Sequence, residues 1–278
     1  MNEDSSRPHG HWARKLHPDE AEHLSSDKET VNEFKKSKLE REAGKNWNMF
    51  YKRNETRFFK DRHWTVEEFE ELCPDINFKQ DSLSWLEVGC GVGNFIFPFM
   101  ETCPQIQMYA CDFSERAVQL VIENSAYDAT KCSAFTCDLT HGELESQSLF
   151  NRLNGVLVDF CTLIFVLSAV SPEKMEVVLL NIFKVLKPGG SVIFRDYGLY
   201  DQAMLRFSKG HKISENFYMR QDGTRAYYFS EEKLKELFEA CGYTTVQCSY
   251  KKKQTVNKKE GISVPRIFVQ GRFKKPSS

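Results

Sequence analysis

Residues 86–95 read LEVGCGVGNF, with Gly89, Gly91 and Gly93 spaced G-x-G-x-G and Glu87 just ahead of them. Glycines in such a run let the backbone turn without steric cost and come close to a ligand. Asp112 closes the next apolar stretch 23 residues after Gly89, and Asp138 closes the one after that. A spacing of ~20 residues is the one at which an acidic side chain meets a ribose hydroxyl pair. Two ligands share this arrangement. A dinucleotide sets a pyrophosphate against a G-x-G-x-x-G loop and a helix N-terminus. S-adenosylmethionine has no phosphate, and its ammonium, ribose hydroxyls and adenine amine suit the acidic set Glu87, Asp112 and Asp138. The spacing and the acids favour methyl transfer over hydride transfer.

Such a loop needs parallel strands to present it, and the flanking sequence supplies them. From Ser84, apolar runs alternate with helical segments in the βαβ manner. SWLEV enters the loop, QMYAC ends at Asp112, Ser114 caps the next helix, and SAFTC ends at Asp138. A fourth run lies near Gly155–Phe165. Pro172 opens a helix that KVLKPGG closes, and SVIFRD is the fifth strand. An insertion over 197–229 contains NFYMRQDGTRAYYF, a hairpin turning at Asp222-Gly223. SEEKLKELFEACG is an amphipathic helix capped by Ser230 and ended by Gly242, and TTVQCSY and RIFVQGRF are two last strands joined by a lysine-rich link. The fold expected over 81–278 is α/β, a doubly wound, Rossmann-like, seven-stranded, mostly parallel sheet with helices on both faces.

Ahead of that domain, 1–26 reads as a disordered tail and 27–80 as a helical extension. Val31, Phe34, Leu39, Ala43, Trp47 and Phe50 recur at helical intervals and predict one amphipathic helix from about Asp27 to Tyr51. Thr65 and Glu68 form a T-x-x-E capping box, and Pro74 stops the helix it starts.

Composition narrows the function class. Hydrophobic residues at 41% and charged residues at 28% are ordinary for a soluble protein, and no apolar run reaches the roughly 20 residues of a membrane span. An intracellular location, cytoplasmic with a nuclear share, is expected. Nine cysteines, an odd count with no C-x-x-C pair, read as reduced core residues. His9, His11, His17 and His23 lack zinc-site spacing, so no metal is expected. The net charge of −1 conceals two basic ends. Ser249–Ser278 holds nine Lys or Arg against one Glu, and Lys28–Trp64 holds eleven against six acids. Clustered cations with interleaved aromatics are the footprint of a phosphate backbone.

The motifs NWNMFYKRN, FFKDRHW, LEVGCGVGN, LIFVLSAV, VLKPGGSVIFRDYGLYD, ENFYMRQDGTRAYYF and TVNKKEG resemble, in order, the eukaryotic methyltransferase-like enzymes that form 3-methylcytidine in tRNA. The likeness runs from about Asp27 to the C-terminus and is greatest to the members acting on serine tRNA. It implies a class I methyltransferase fold, with the last two strands as its reversed pair, S-adenosylmethionine as cofactor, and tRNA as substrate. Trp47 and Tyr51, one helical turn apart, match positions that fold over the cofactor, although periodicity alone makes them a core stripe. Gly89, Asp112 and Asp138 match cofactor contacts and Ile164 the pocket wall. Glu145–Phe160 departs from the family's shorter segment.

The implied reaction is methylation of cytidine N3 at position 32 of the anticodon loop, in a nucleotide taken out of its stack. Asp196 would hold the cytidine amine and favour the cationic product, with Tyr197 stacking on the base and Arg195 beside them. A plain strand-end cap is the alternative for Asp196. Arg57, Phe58, Lys60, Arg62, His63, Arg220, Arg225, Lys251, Lys252 and Lys258 would grip RNA. Seryl-tRNA synthetase is an expected partner.

Overall fold

The computed structural model describes residues 13–62, 65–141, 148–257 and 262–277. Five parallel strands carry the apolar runs: β1 (Ser84–Val88), β2 (Gln107–Asp112), β3 (Cys132–Thr136), β4 (Val158–Ile164) and β5 (Leu186–Tyr197). An insertion sheet follows, of β6 (Lys212–Ser214), β7 (Phe217–Met219) and β8 (Arg225–Tyr227). The long hairpin β9 (Thr244–Asn257) and β10 (Ile262–Lys274) closes the chain. The main sheet runs β3-β2-β1-β4-β5-β10-β9, with β10 antiparallel to both neighbours. Strand order reverses between β1 and β4, so the crevice beyond their C-terminal ends is where an open α/β sheet takes a ligand.

Alternation along β1 separates two cores. Trp85 faces α4 (Thr65–Leu72) and α5 (Ile96–Thr102), stacked 4.8 Å from Phe160 and beside Phe69, Phe95 and Phe99. Leu86 and Val88 face α8 (Pro172–Val185) and α10 (Glu231–Ala240), with Leu163, Phe194 and Phe238. No disulfide joins any of the nine cysteines, and eight of them are buried. Helix α6 (Glu115–Ile122) starts where expected, at Ser114, whose hydroxyl accepts the Ala117 N–H.

The N-terminal extension differs from its sequence reading. Of the expected tail, residues 1–12 lie outside the described residues, and within 13–26 the chain forms α1 (Pro18–Ser26). Its support is tertiary: Ala13 is buried, Arg14 pairs with Glu20, and the His23 ring bonds the Phe207 carbonyl at 3.0 Å. The expected single helix is two, α2 (Glu33–Arg41) and α3 (Ala43–Asn54). Asn32 caps the first by accepting the Lys35 N–H, and Glu42 breaks the helical path between them. Glu68 makes no capping box, because its carboxylate reaches Arg195 and Lys253.

Two details of the main sheet also depart. β3 stops at Thr136, two residues before Asp138. KPGG belongs to the start of β5, where the register against β4 shifts, and β5 follows α8 directly. Of the atypical stretch 145–160, residues 145–147 lie outside the described residues. The remainder forms α7 (Leu149–Arg152) and enters β4, where Asp159 bonds the Ser84 N–H and Lys187, both at 2.8 Å. Asp159 thus fastens the N-terminal edge of the sheet, away from the crevice.

Gly190 sits at that same edge, and a Cβ there would stand 2.8 Å from the Asp159 carbonyl and 2.9 Å from that of Lys187. Both obstacles are backbone. Gly190→Ala should cost about 1–3 kcal/mol, read as a lower urea midpoint at unchanged m. An unchanged midpoint would show that the bend relaxes freely.

Candidate active site

The loop after β1 forms the floor of a cavity of about 500 Å³. Gly89 has φ +64°, and a side chain on it would run into Val166. Gly91 has φ +54°, and a Cβ there would lie 3.0 Å from the Tyr51 hydroxyl. Gly93 lies against Phe97 as α5 begins and, like Gly91, is not part of the cavity lining. Helices α2 and α3 form the roof. Trp47 and Tyr51 line it with rings stacked 5.8 Å apart, Tyr51 buried and Trp47 half-buried.

Asp112 lies at the cavity wall with one oxygen accepting the Gly91 N–H at 3.0 Å and the other the Ser114 N–H at 2.9 Å. Burial pushes its carboxyl up to about 6, against the pull of these bonds. A carboxylate offers about four acceptor sites, so a hydroxyl pair can still be received. Asp138 lines the far edge, holding the Thr140 N–H at 2.9 Å. Glycine floor, aromatic roof and acids at two edges fit the ribose and adenine of S-adenosylmethionine.

Glu87 takes a different place. It is 1% exposed, lies under the loop and not in the lining, and bonds the Thr162 hydroxyl. Its Oε1 has no hydrogen-bond partner among the described residues; the nearest cation is Arg62, at 3.9 Å. Burial outweighs Arg62 and Thr162 and raises the carboxyl to about 8. Ile164 also departs from expectation. Strand alternation turns it into the core with Trp85 and Ile193, and Phe165 and Val166 form the wall instead.

Phe165 joins the cavity to a second group of side chains. Its backbone is left-handed, φ 60°, and its ring lies 5.0 Å from Tyr197 and 5.4 Å from Phe268. Four arginines lie over these rings: Arg62 over Phe165 at 5.6 Å, Arg220 over Tyr197 at 5.3 Å, and Arg266 and Arg195 over Phe268 at 5.2 and 5.1 Å. Asp201, fully buried, fixes Arg266 through its Nε at 2.9 and 3.0 Å. Asp196 is likewise fully buried, accepting the Ser168 and Tyr197 N–H groups at 2.9 Å each, and burial lifts its carboxyl to about 6.

Several arginines named from the sequence are not surface cations. Arg195 points to the α4 side, where it pairs with Glu68, bonds Gln270 at 3.1 Å and lies over Phe268 at 5.1 Å. Arg225 is buried against Glu40, Ser171 and the Ala169 carbonyl, and lines the cofactor cavity. Arg62 is largely buried between Glu87 and Phe165, and desolvation lowers its pKa. Arg57 and Lys60 are exposed, Arg57 beside Glu55, and Phe58 packs edge-on to Phe50 with much of its ring in solvent. Lys251 and Lys253 turn toward Glu71 and Glu68, whereas Lys252, on the opposite side of β9, is exposed. His63 and Lys258 lie outside the described residues. Sequence reasoning missed Phe165, Asp201, Arg266 and Phe268; the only signal was that Phe165 follows Ile164 in LIFVLSAV and that VPRIF interrupts a lysine-rich link. Among the described residues no three His, Cys, Asp or Glu side chains are grouped to hold a metal, and no helix is long and apolar enough to cross a membrane.

A methyltransferase-domain family profile matches residues 63–248. The chain is 54% identical to the human tRNA N(3)-cytidine methyltransferase METTL6, over 96% of this chain and 92% of that protein. It is 40% identical to the Danio rerio tRNA N(3)-cytidine methyltransferase METTL2, over 87% and 76%. Among solved structures, the Burkholderia thailandensis 1,6-didemethyltoxoflavin-N1-methyltransferase, bound to S-adenosylhomocysteine, superposes with a TM-score of 0.56 at 14% identity, covering 90% of this chain and 93% of that one. That likeness is one of fold.

The buried carboxyls set a pH dependence. A carboxyl whose folded pKa is raised binds more protons folded than unfolded, so stability falls as pH rises between the two values. For Asp112 and Asp196 that decline ends near pH 6, whereas for Glu87 it continues to about 8. Melting temperature of the ligand-free protein should therefore keep falling from pH 6 to 8, and Glu87→Gln should flatten that interval. An equal decline in the variant would show that Glu87 is ionised throughout.

Proposed function

The chain belongs to the tRNA N(3)-cytidine methyltransferase family, whose cofactor is S-adenosylmethionine, and we propose that its acceptor cytidine stacks at the Phe165–Tyr197 platform, at position 32 of serine tRNA. The observation that carries this reading is the continuity of two sites. Phe165 lines the cofactor cavity and is also the edge of an aromatic platform ringed by Arg62, Arg220 and Arg266. Flipped bases are read by stacking on aromatic rings, and the half-buried arginines Arg220 and Arg266 suit the phosphates on either side.

When bound, S-adenosylmethionine supplies a methyl group on a sulfonium sulfur. Cytidine N3 carries an in-plane lone pair in the neutral base, so the protein has no proton to remove before attack. Its residues position and exclude water. Trp47 and Tyr51 cover the cofactor side, and Tyr197 holds the plane of the base. The alkylated base is cationic, and Asp196, directly behind Tyr197, places a buried negative charge near that cation. Its neighbour Arg220 draws its pKa downward, which favours the ionised form.

The anticodon loop presents few nucleotides with which to tell one tRNA from another, and the platform is small. Seryl-tRNA synthetase, which reads serine tRNA elsewhere, is therefore proposed as the partner that supplies the missing selectivity. Incubation of total tRNA with isotopically labelled cofactor, followed by nucleoside mass spectrometry, tests the whole reading. Labelled 3-methylcytidine in serine tRNA is expected, with a higher rate when the synthetase is added. Label in protein, or in another nucleoside, would overturn it.

Two variants probe the parts. Asp196→Asn keeps the shape but removes the charge, so single-turnover methylation should fall about ten- to a hundredfold, the worth of a charge-assisted contact of about 1.5–3 kcal/mol, with cofactor and RNA affinities little changed. A lower melting temperature with normal turnover would make Asp196 a strand-end cap only. Among the β9 lysines, Lys252→Glu should reduce the dependence of tRNA affinity on salt by about one unit of log–log slope or more, and Lys251→Glu or Lys253→Glu by less, because Glu71 and Glu68 already oppose them. Equal slopes in all three would place RNA away from β9.

A further inference from the structure

The cofactor roof and the acceptor platform meet at one tight turn, Arg220–Arg225. Arg220 stacks over Tyr197 at 5.3 Å, and its Nη1 donates to the Arg225 carbonyl at 3.1 Å. The Arg220 N–H closes the turn on the Thr224 carbonyl at 2.7 Å. At the other end of the turn, the Arg225 guanidinium holds Glu40 of α2. Lys174 also bonds Glu40, at 2.6 Å, and Ser171 completes the set. A second tie runs from the Asn46 Nδ2 of α3 to the Gly223 carbonyl at 3.0 Å, where Gly223 has φ +80° and a Cβ would stand 2.9 Å from that nitrogen.

The α2 part of the roof is held by these polar ties more than by apolar packing, whereas α3 buries Phe50 and Tyr51 against Val92 and Ala117. Of α2, only Leu39 is buried. An element with so little buried surface opens at low cost, and what fastens it sets how often it is closed. Near the start of the extension, the Val31 N–H reaches the Lys212 carbonyl at 2.8 Å and Lys212 Nζ the Asp27 carbonyl at 2.9 Å, so the insertion sheet grips the extension along its length.

We infer that this turn couples cofactor retention to RNA engagement, with Glu40 and Asn46 as the positioning residues that carry the coupling. A nucleotide seated on Tyr197 packs against Arg220 and orders the turn, and an ordered turn presents Gly223 and Arg225 to the roof. Closing the roof over the cofactor orders the same turn from the other side. Linkage then requires each ligand to tighten the other by one common factor. The inference rests on the platform being the RNA site.

Calorimetry with S-adenosylhomocysteine, with and without an unmethylated serine tRNA transcript, measures the factor without turnover. In the wild-type protein the nucleoside should bind at least about fivefold more tightly with RNA present, and RNA should gain by the same factor from the nucleoside. Asn46 is outside the cavity lining, so Asn46→Ala should bring the factor toward one, with RNA-free affinity for S-adenosylhomocysteine falling by less than the RNA-bound affinity does. Glu40→Gln should do the same to the factor. A purely structural role would lower melting temperature and spare the factor. Should Glu40→Gln fail to fold, Asn46→Ala alone decides. A wild-type factor of one, with RNA bound and methylated, overturns the coupling and leaves the tRNA reading intact, as does a full factor retained by Asn46→Ala. Absence of RNA binding in the wild type overturns both.

Discussion

The carboxylate of Asp112 holds the glycine loop, the start of α6 and the roof in one hydrogen-bonded chain. It accepts the Gly91 and Ser114 N–H groups, and the Ser114 hydroxyl donates in turn to the Asn48 side chain at 2.6 Å. The positive φ of Gly91 is what brings that N–H to Asp112, and the missing side chain at the same residue is what admits the Tyr51 hydroxyl. A buried carboxylate is costly without such donors. Here the donors are backbone groups that the strand-loop-helix path must satisfy anyway. The acid proposed to receive a ribose is thus also the acid that shapes the loop under it.

What sequence reveals of this protein follows the range of the forces involved. Period-two runs, the glycine spacing and the caps at Ser114 and Ser230 are local, and the strands and helices they imply lie within a few residues of where they were read. Asp112 was legible because one residue ends a strand at a set distance from a loop. Helix α1 was not, since its partners, such as the Phe207 carbonyl, lie far along the chain. The break at Glu42 was invisible to periodicity because the apolar spacing continues across it. The resemblance placed Ile164 on the wall, but alternation along β4 turns it into the core, and the left-handed turn that follows puts Phe165 on the wall instead.

Charge is the property that sequence shows most openly and interprets least. Arg195, Arg225, Arg266 and Arg272 looked alike as cations, yet each meets one carboxylate from another segment. Arg195 takes Glu68 of α4, Arg225 takes Glu40 of α2, Arg266 takes Asp201, and Arg272 takes Asp75 just after α4. These pairs fasten appended pieces to the sheet. Replacing such a pair with apolar residues is often neutral, but removing one partner strands the other charge and costs about 3–5 kcal/mol. Their use here is to fix where each segment docks, and the planar guanidinium, with its fork of donors, suits that role better than lysine. Glu40 shows the strength of one such site: burial pulls its carboxyl upward, yet bonds from Lys174, Ser171 and Arg225 hold it at about 2.

The seam formed by these pairs is also where the backbone is strained. A bulky residue at positive φ costs about 1–3 kcal/mol and persists only where its surroundings over-determine it. At Phe165 they do. Its N–H donates to the Arg195 carbonyl at 2.8 Å, Ile164 is locked in the core, and Val166 fills the space that Gly89 leaves open. An extended residue at 165 would continue β4 and send its ring back toward the sheet. The left-handed turn instead directs it outward, between the cofactor cavity and Tyr197. The apolar core built on Trp85 and Phe238 supplies the stability that tolerates this turn, and the turn supplies a wall common to the cavity and the proposed acceptor platform.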